Sequence, residues 1–254
     1  MKKRWQSITS MINTVSAIVI VLLVWQAVSM AGLIPAYMLP SPVQVVRAFV
    51  DDFPLLMEHA GVTLAEAFIG LFWGLVIGFS MAVLMDLFEP VCKAVYPLVI
   101  LTQTIPTVAI APLLVLWCGY EMLPKIILII VATFFPVTIG VLEGLRSADP
   151  DTINLLRSMG AGTWQIYRYV KLPGCLGSFF SSVRISAAYA VVGAVISEWL
   201  GGFAGLGVYM TRVKKAFSFD RMFAVIFLIS LISLLLMKLV DVIRAKCMPW
   251  ENTN

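Results

Sequence analysis

Apolar residues gather in six long runs, at about residues 12–33, 64–86, 95–118, 123–145, 177–199 and 222–243, with polar and charged residues collected between them. Each run is close to the roughly 20 residues that an α-helix needs to cross a bilayer. The pattern predicts an all-α membrane protein of six transmembrane helices. The stretch from Pro35 to Gly61 contains Leu39-Pro40-Ser41-Pro42, which begins a short helix. This helix is expected to be amphipathic and to lie on the membrane surface, with Val43, Val46, Ala48 and Val50 toward its apolar side. These boundaries divide the chain into an N-terminal transmembrane helix (1–34), an outer loop with its short helix (35–63), a core of five spans (64–245) and a tail (246–254).

Three runs carry patterns of their own. In the second, Gly70, Gly74 and Gly78 recur every four residues and Ala82 continues them, so one face is nearly bare and open to close helix packing. The third contains Pro97, Pro106 and Pro112. Proline removes a backbone donor, and broken backbone inside a membrane is tolerated only beside protein or a water-filled path. Gln103, Thr104, Pro106 and Thr107 are therefore candidates for lining a pathway. The fifth run places Ser178, Ser182, Ser186, Tyr189, Gly193 and Ser197 at spacings of three and four, with Glu198 after them. That stripe faces protein or water rather than lipid, so Ser182, Ser186, Tyr189, Gly193, Ser197 and Glu198 join the pathway candidates, with plain packing as the competing role.

Composition sharpens the picture. The 254 residues are 61% hydrophobic and 13% charged, well away from a soluble domain, and leave no room for a separate soluble module. The net charge of +4 comes from basic residues flanking apolar runs. Retention on the cytoplasmic side explains them better than nucleic acid, for which no basic face or motif exists. Lys2, Lys3 and Arg4 precede an apolar run longer than a signal peptide's, so the first span is expected to be retained. With six spans, both termini are then cytoplasmic. Lys93, Arg146, Arg157, Arg168, Lys171, Arg244 and Lys246 fall inside, while Arg47, Lys125, Arg212, Lys214, Lys215 and Arg221 fall in outer loops. Cys92, Cys118, Cys175 and Cys247 are far apart and His59 is the lone histidine, which predicts reduced, mostly buried thiols and no metal site.

The most informative segment is the inner loop 149–173. Asp149 suits an N-cap, Pro150 the first helical position and Gly160 the left-handed residue that ends a helix. A second short helix is expected from Thr163 to about Val170, stopping before Pro173. Ile153, Leu156, Met159, Trp164, Ile166, Tyr167 and Val170 supply apolar faces. Such a pair either lies on the membrane surface or docks into a soluble partner.

Gly160, then nine residues, then Val170-Lys171-Leu172-Pro173 resembles the loop of the binding-protein-dependent ABC transporter permeases, patterned E-A-A-x-x-x-G, nine residues, I-x-L-P. Here Asn154-Leu155-Leu156 replaces Glu-Ala-Ala, which removes any role needing the carboxylate. The resemblance extends over nearly the whole chain from Leu39. Leu39-Pro40-Ser41-Pro42, Ile105-Pro106, Ala111-Pro112-Leu113-Leu114, Phe134-Phe135-Pro136, Arg146-Ser147-x-Asp149-Pro150, Trp164-Gln165 and Gly201-Gly202-x-x-Gly205-Leu206-Gly207 look like the nitrate, sulfonate and taurine branch. The resemblance implies a type I ABC importer permease fold in a prokaryotic cytoplasmic membrane. It further implies a second copy of the chain, a cytoplasmic ATPase dimer and an extracytoplasmic substrate-binding protein as partners. Asn154, Leu155, Leu156, Arg157, Met159, Gly160, Ala161, Trp164, Leu172 and Pro173 would form the ATPase-coupling element of an alternating-access transporter.

The chain contains no G-x-x-x-x-G-K-[ST] phosphate loop. ATP and Mg are expected on the partner, with no cofactor or catalytic residue here. An ion-coupled carrier would show a mid-span acid or base and an internal repeat. Glu66 and Glu143 are the nearest acids, both near run ends, and no repeat is visible. A membrane enzyme would need a nucleophile–base or metal constellation, which is absent from the sequence. For cargo, Gln103-Thr104-Ile105-Pro106-Thr107-Val108-Ala109-Ile110-Ala111-Pro112 looks most like the thiamine-precursor group, so an aromatic, vitamin-like pyrimidine is expected, with sulfonate, taurine or nitrate as the alternative.

Overall fold

The computed structural model describes residues 2–32, 35 and 38–250 and, within the first helix, the side chains of Asn13 and of Ser16 onward. The Lys2, Lys3 and Arg4 side chains, the end of the first run at Leu33 and the last four residues of the expected tail lie outside the described residues. The described residues form helices α1 (Lys2–Met30), α2 (Pro42–Asp51), α3 (Phe53–Leu87), α4 (Glu89–Thr104), α5 (Thr107–Cys118), α6 (Met122–Arg146), α7 (Pro150–Ser158) and α8 (Thr163–Ile166). A π-helical turn (Tyr167–Lys171), α9 (Leu172–Gly201), α10 (Leu206–Lys215) and α11 (Phe219–Cys247) follow, with no strand among the described residues. Phe53–Leu87, Met122–Arg146, Thr163–Gly201 and Phe219–Cys247 are each long and apolar enough to cross a membrane. The α4–α5 pair meets the same measure jointly but is bent by 97°. In α1 the apolar stretch among described residues is Ser16–Met30.

Two compact units are present, Met1–Met57 with Tyr209–Leu228, and Glu58–Val208 with Ile229–Asn254. In the first, Ser41 and Gln44 form a reciprocal capping box that starts α2 at Pro42. Trp25 Nε1 donates to the Pro40 carbonyl at 3.0 Å, and its ring lies 5.7 Å from Phe223. Asp52 accepts from Tyr209 Oη and pairs with Arg221 at 3.2 Å. Of the residues expected on the apolar side of α2, Val43, Val46 and Val50 share an exposed face, and only Ala48 is corrected, being buried with Val45. An apolar outer face is what lipid contact selects.

The second unit is built on α6. A Cβ added to Gly70 would stand 2.5 Å from Ile129 Cβ, one on Gly78 would stand 2.9 Å from Val137 Cβ, and one on Gly74 would overlap the Thr133 hydroxyl. The bare face of α3 therefore lies directly against residues 129, 133 and 137 of α6. On the other side, Gly140 abuts Ser182, and a Cβ on Gly144 would stand 2.9 Å from Ser178 Cβ and 3.0 Å from Cys175 Cβ. Small residues let backbones approach closely, which is how helices associate where no water is available to drive them together. Below these contacts Ala82, Met85, Val137, Val141, Leu142, Leu145, Tyr167 and Cys175 form one buried cluster.

Several expectations are corrected. The loop expected over 35–63 ends at Asp52, because residues 53–63 are the first turns of α3. Their polar members His59 and Thr63 are buried and hydrogen-bonded rather than solvated. The third run is not one helix: Ile105 is extended (φ −86°, ψ 119°), as a residue before proline prefers, while Pro97 and Pro112 sit inside helices. The helix from Thr163 does not stop before Pro173. The Leu172 N–H reaches Tyr167 O across a π turn and the helical run continues to Gly201. Lys125 is a buried residue in the first turn of α6 rather than a loop charge, and α10 occupies what reads as an outer loop. Of the cysteines, Cys92 and Cys175 are buried, Cys118 is half-buried and Cys247 is exposed.

Candidate functional site

The inner loop is held by local chemistry at both ends of α7. Asp149 Oδ2 accepts from Thr152 Oγ1 at 2.7 Å and from its N–H at 3.2 Å, and Oδ1 accepts from the Asp151 N–H at 3.1 Å. These donors, the Thr152 hydroxyl foremost, hold the exposed carboxyl below its ordinary value. At the other end Gly160 adopts φ +84°, its N–H bonding Arg157 O at 2.9 Å while the Ala161 N–H bonds Leu156 O at 2.9 Å. This double closure lets the chain turn back at once into α8.

The turn leaves an apolar surface without internal cover. Leu155 is 62% exposed, Met159 75%, Trp164 71% and Tyr169 68%. Asn154, Arg157 and Gly160 are exposed beside them, Ala161 and Leu172 are half-buried, and Pro173 is exposed at the second position of α9. Ile166 and Tyr167 point the other way and are buried. There Tyr167 Oη donates to Asp86, near the end of α3, and Lys171 Nζ reaches the same carboxylate oxygen at 2.6 Å.

Two cavities lie along α6 and α9, one beside the break at Ile105–Pro106 and one between α4, α6, α9 and α11. The smaller, of about 300 Å³, is lined by Gln103, Pro106, Thr107, Tyr189 and Gly193 among others. The larger, of about 700 Å³, shares Gln103 and Tyr189 and adds Ser178, Ser182, Glu143 and Arg244. The pathway candidates thus separate. Gln103, Pro106, Thr107, Ser182, Tyr189 and Gly193 come together around these spaces, whereas Thr104, Ser186, Ser197 and Glu198 line neither. Thr104 bonds its own helix through Leu101 O, Ser186 Oγ donates to Thr133 O across to α6 at 3.2 Å, and Ser197 Oγ bonds Ala194 O. Arg184 lines neither cavity either and pairs with Asp241 at 3.5 Å on a half-exposed face.

Glu198 belongs to a buried polar cluster. It accepts from Thr63 Oγ1 at 2.7 Å and from the Gly207 N–H at 2.6 Å, while Thr63 also accepts from the Leu206 N–H at 2.9 Å. His59 Nδ1 accepts from the Gly205 N–H at 3.0 Å, and Lys125 Nζ pairs with Glu66 at 2.6 Å. Gly205, at φ +120°, lies so close to the Glu198 carboxylate that a Cβ there would overlap it. The cluster fastens the 202–207 turn to α3 and α9. Glu66, Lys125 and His59 were legible as ionisable residues in or beside apolar runs, but their partners were not. Asp86, at the end of an apolar run, carries a signal of the same kind, since an acid there is costly without a partner.

Four membrane-length apolar helices and a fifth, bent pair define a polytopic membrane protein. The chain belongs to the family of binding-protein-dependent transport system inner membrane components, whose model matches residues 74–247. It is a permease subunit of an ABC importer, and ATP hydrolysis resides on a separate subunit. Among its relatives, the formylaminopyrimidine transport permease protein ThiX of Halalkalibacterium halodurans is 38% identical, over 85% of this chain and 86% of that protein. The riboflavin transport system permease protein RibX of Chloroflexus aurantiacus is 32% identical, over 92% and 88%. The fold is also similar to that in inward-facing conformations of the methionine ABC transporter MetNI, with a TM-score of 0.68, 23% identity, and coverage of 76% of this chain and 96% of that chain.

Proposed function

We propose that this chain crosses the membrane six times with both termini in the cytoplasm, pairs with a second copy, and carries a vitamin-like pyrimidine delivered by an extracytoplasmic binding protein. The sixth span is α1, and the bent α4–α5 pair counts as one. Residues 149–173 dock a cytoplasmic ATPase dimer through Leu155, Met159, Trp164 and their neighbours Asn154, Leu156, Arg157, Gly160, Ala161, Leu172 and Pro173. ATP and Mg are bound there and not here. The observation that carries the coupling assignment is the exposed apolar surface on a turn hydrogen-bonded at both ends, which a helix wedged into a partner's cleft requires. Asn-Leu-Leu in place of Glu-Ala-Ala makes that contact one of shape and apolar area.

The pathway runs beside the break at Pro106, where Gln103, Thr107 and Tyr189 offer hydrogen bonds and a ring, and where Glu143 and Arg244 stand at the larger cavity. Such a lining suits a neutral polar or aromatic cargo, and the likeness to a formylaminopyrimidine permease points the same way. Thr104, Ser186, Ser197 and Glu198 then support the spans rather than line the route. A sulfonate, taurine or nitrate cargo is the second reading. Tagged purification from membranes in mild detergent tests the assembly, with a stoichiometric ATPase expected. A chain that purifies alone yet drives uptake from an ion gradient would refute it. Uptake of labelled aminopyrimidine in competition with a panel of vitamins and sulfonates tests the cargo, and competition by sulfonates alone would overturn the pyrimidine assignment.

A further inference from the structure

Docking at residues 149–173 moves cargo only if the motion of that loop reaches the spans. We propose that Asp86 is a positioning residue for transport, a latch through which the π-helical turn Tyr167–Lys171 pulls α3 with the loop. The inference rests on the coupling role given to the loop above and adds the route by which its motion leaves the loop.

Asp86 stands one residue before the end of α3, its side chain only 3% exposed. Both of its partners come from one turn of helix. Tyr167 Oη donates to the carboxylate, Lys171 Nζ lies 2.6 Å from it, and the ammonium sits 5.1 Å from the Tyr167 ring centroid. Spaced four residues apart, the two donors share the inward face of their turn. The outward side carries the exposed Trp164 and Tyr169. One short segment thus presents apolar rings outward and binds α3 inward, so a push on the rings is delivered to Asp86.

Packing alone does not account for the contact. Met85, Leu145, Tyr167 and Cys175 already hold the same elements together through apolar area. A carboxylate beneath them is costly to desolvate, and an apolar substitute would often serve stability as well. What a charged, hydrogen-bonded pair adds is direction, since it sets the register of the turn against α3 and resists sliding. The π turn adds a place to yield. The Leu172 N–H reaches back to Tyr167 O, and Pro173 has no N–H to give, so the helical ladder between loop and α9 is locally loosened. Loop motion that α9 would otherwise absorb at this looser point is shared with α3.

The test uses the whole complex and needs no cargo. Gln103→Cys reports on the cavities, in a background of Cys118→Ser and Cys247→Ser that leaves only the buried Cys92 and Cys175. Its N-ethylmaleimide modification rate is measured with and without ATP and vanadate, next to the ATP hydrolysis of the same preparation. In the parent the rate is expected to change by at least about five-fold, the lower end of ordinary coupling. Asp86→Asn is expected to shrink that change below about two-fold while the ATPase stays bound and hydrolysis stays within about two-fold of the parent. Tyr167→Phe deletes one hydroxyl, folds, and should give an intermediate change. Full switching in Asp86→Asn, hydrolysis lost in proportion to switching, or failure of both variants to assemble would each overturn the latch. A parent complex without bound ATPase would instead bring down the coupling role itself, and the latch with it.

Discussion

Two Gly→Ala substitutions on one helix should shift stability in opposite directions, and the sign depends only on what α3 touches. Gly61 and Gly74 are both helical. A Cβ at Gly61 meets nothing within 4 Å, whereas at Gly74 it overlaps the Thr133 hydroxyl and lies 3.1 Å from Thr133 Cβ. Gly61→Ala therefore removes only the entropic penalty of a helical glycine and should stabilise by about 0.5–1 kcal/mol. Gly74→Ala must push α3 from α6 or turn Thr133 off its 2.8 Å bond to Ile129 O, an overpacking cost of about 1–3 kcal/mol. At roughly 2–4 °C per kcal/mol for a chain of this size, the melting point should fall by about 2–12 °C in Gly74→Ala and rise by about 1–4 °C in Gly61→Ala. In a Cys118→Ser, Cys247→Ser background the buried Cys92 and Cys175 supply the assay, because a fluorogenic thiol dye labels them only as the detergent-solubilised permease unfolds. Thr133→Ala removes the colliding hydroxyl and should recover part of the Gly74→Ala loss. A Gly74→Ala chain that melts at or above Gly61→Ala would refute the close approach of α3 and α6.

Other perturbations follow from particular contacts. Lys125→Met strands Glu66, 2% exposed, and should lower stability by roughly 3–5 kcal/mol, with Lys125→Met/Glu66→Gln regaining much of it in the same thiol-dye melt. Gly160→Val forces a β-branched residue to φ +84°, a local strain of about 1–2 kcal/mol with no clash, and should reduce the ATPase recovered with the tagged chain while membrane insertion is unchanged. Equal ATPase recovery would remove the loop assignment. The Asp149 carboxyl is held below its ordinary value in the folded loop, so its contribution is complete above that ordinary value and disappears as pH falls through the depressed one. Protection of the Asp151 and Thr152 amides from hydrogen exchange, taken as the rate relative to an unstructured peptide at the same pH, should fall across that acid window in the native chain and change little there in Asp149→Asn, whose amide oxygen still accepts.

Much of this architecture is written in local chemistry. Long apolar runs place the membrane-length helices, since a bilayer demands about 20 apolar residues whatever the neighbours are. Asp149, Pro150 and Gly160 delimit α7 because capping and left-handed backbone are decided within a few residues. The proline before which α4 breaks is legible for the same reason, though sequence does not tell Pro106, which breaks the run, from Pro97 and Pro112, which do not. The loop pattern from Gly160 to Pro173 was enough to point to the family.

What tertiary structure alone decided is the meaning of each polar residue in an apolar run. Glu198 and Tyr189 lie on one helix and read alike, yet one is buried against Thr63 and Gly207, over 100 residues upstream in the first case and nine downstream in the second, and the other faces a cavity. His59 and Thr63 looked like loop residues because their partners at 198, 205 and 206 are invisible to any local window. The same holds for Gly70, Gly74 and Gly78, whose spacing announces a close approach without naming Ile129, Thr133 and Val137 as what is approached. Desolvation makes a buried polar group depend on its partner, and only the folded chain determines which residues become partners.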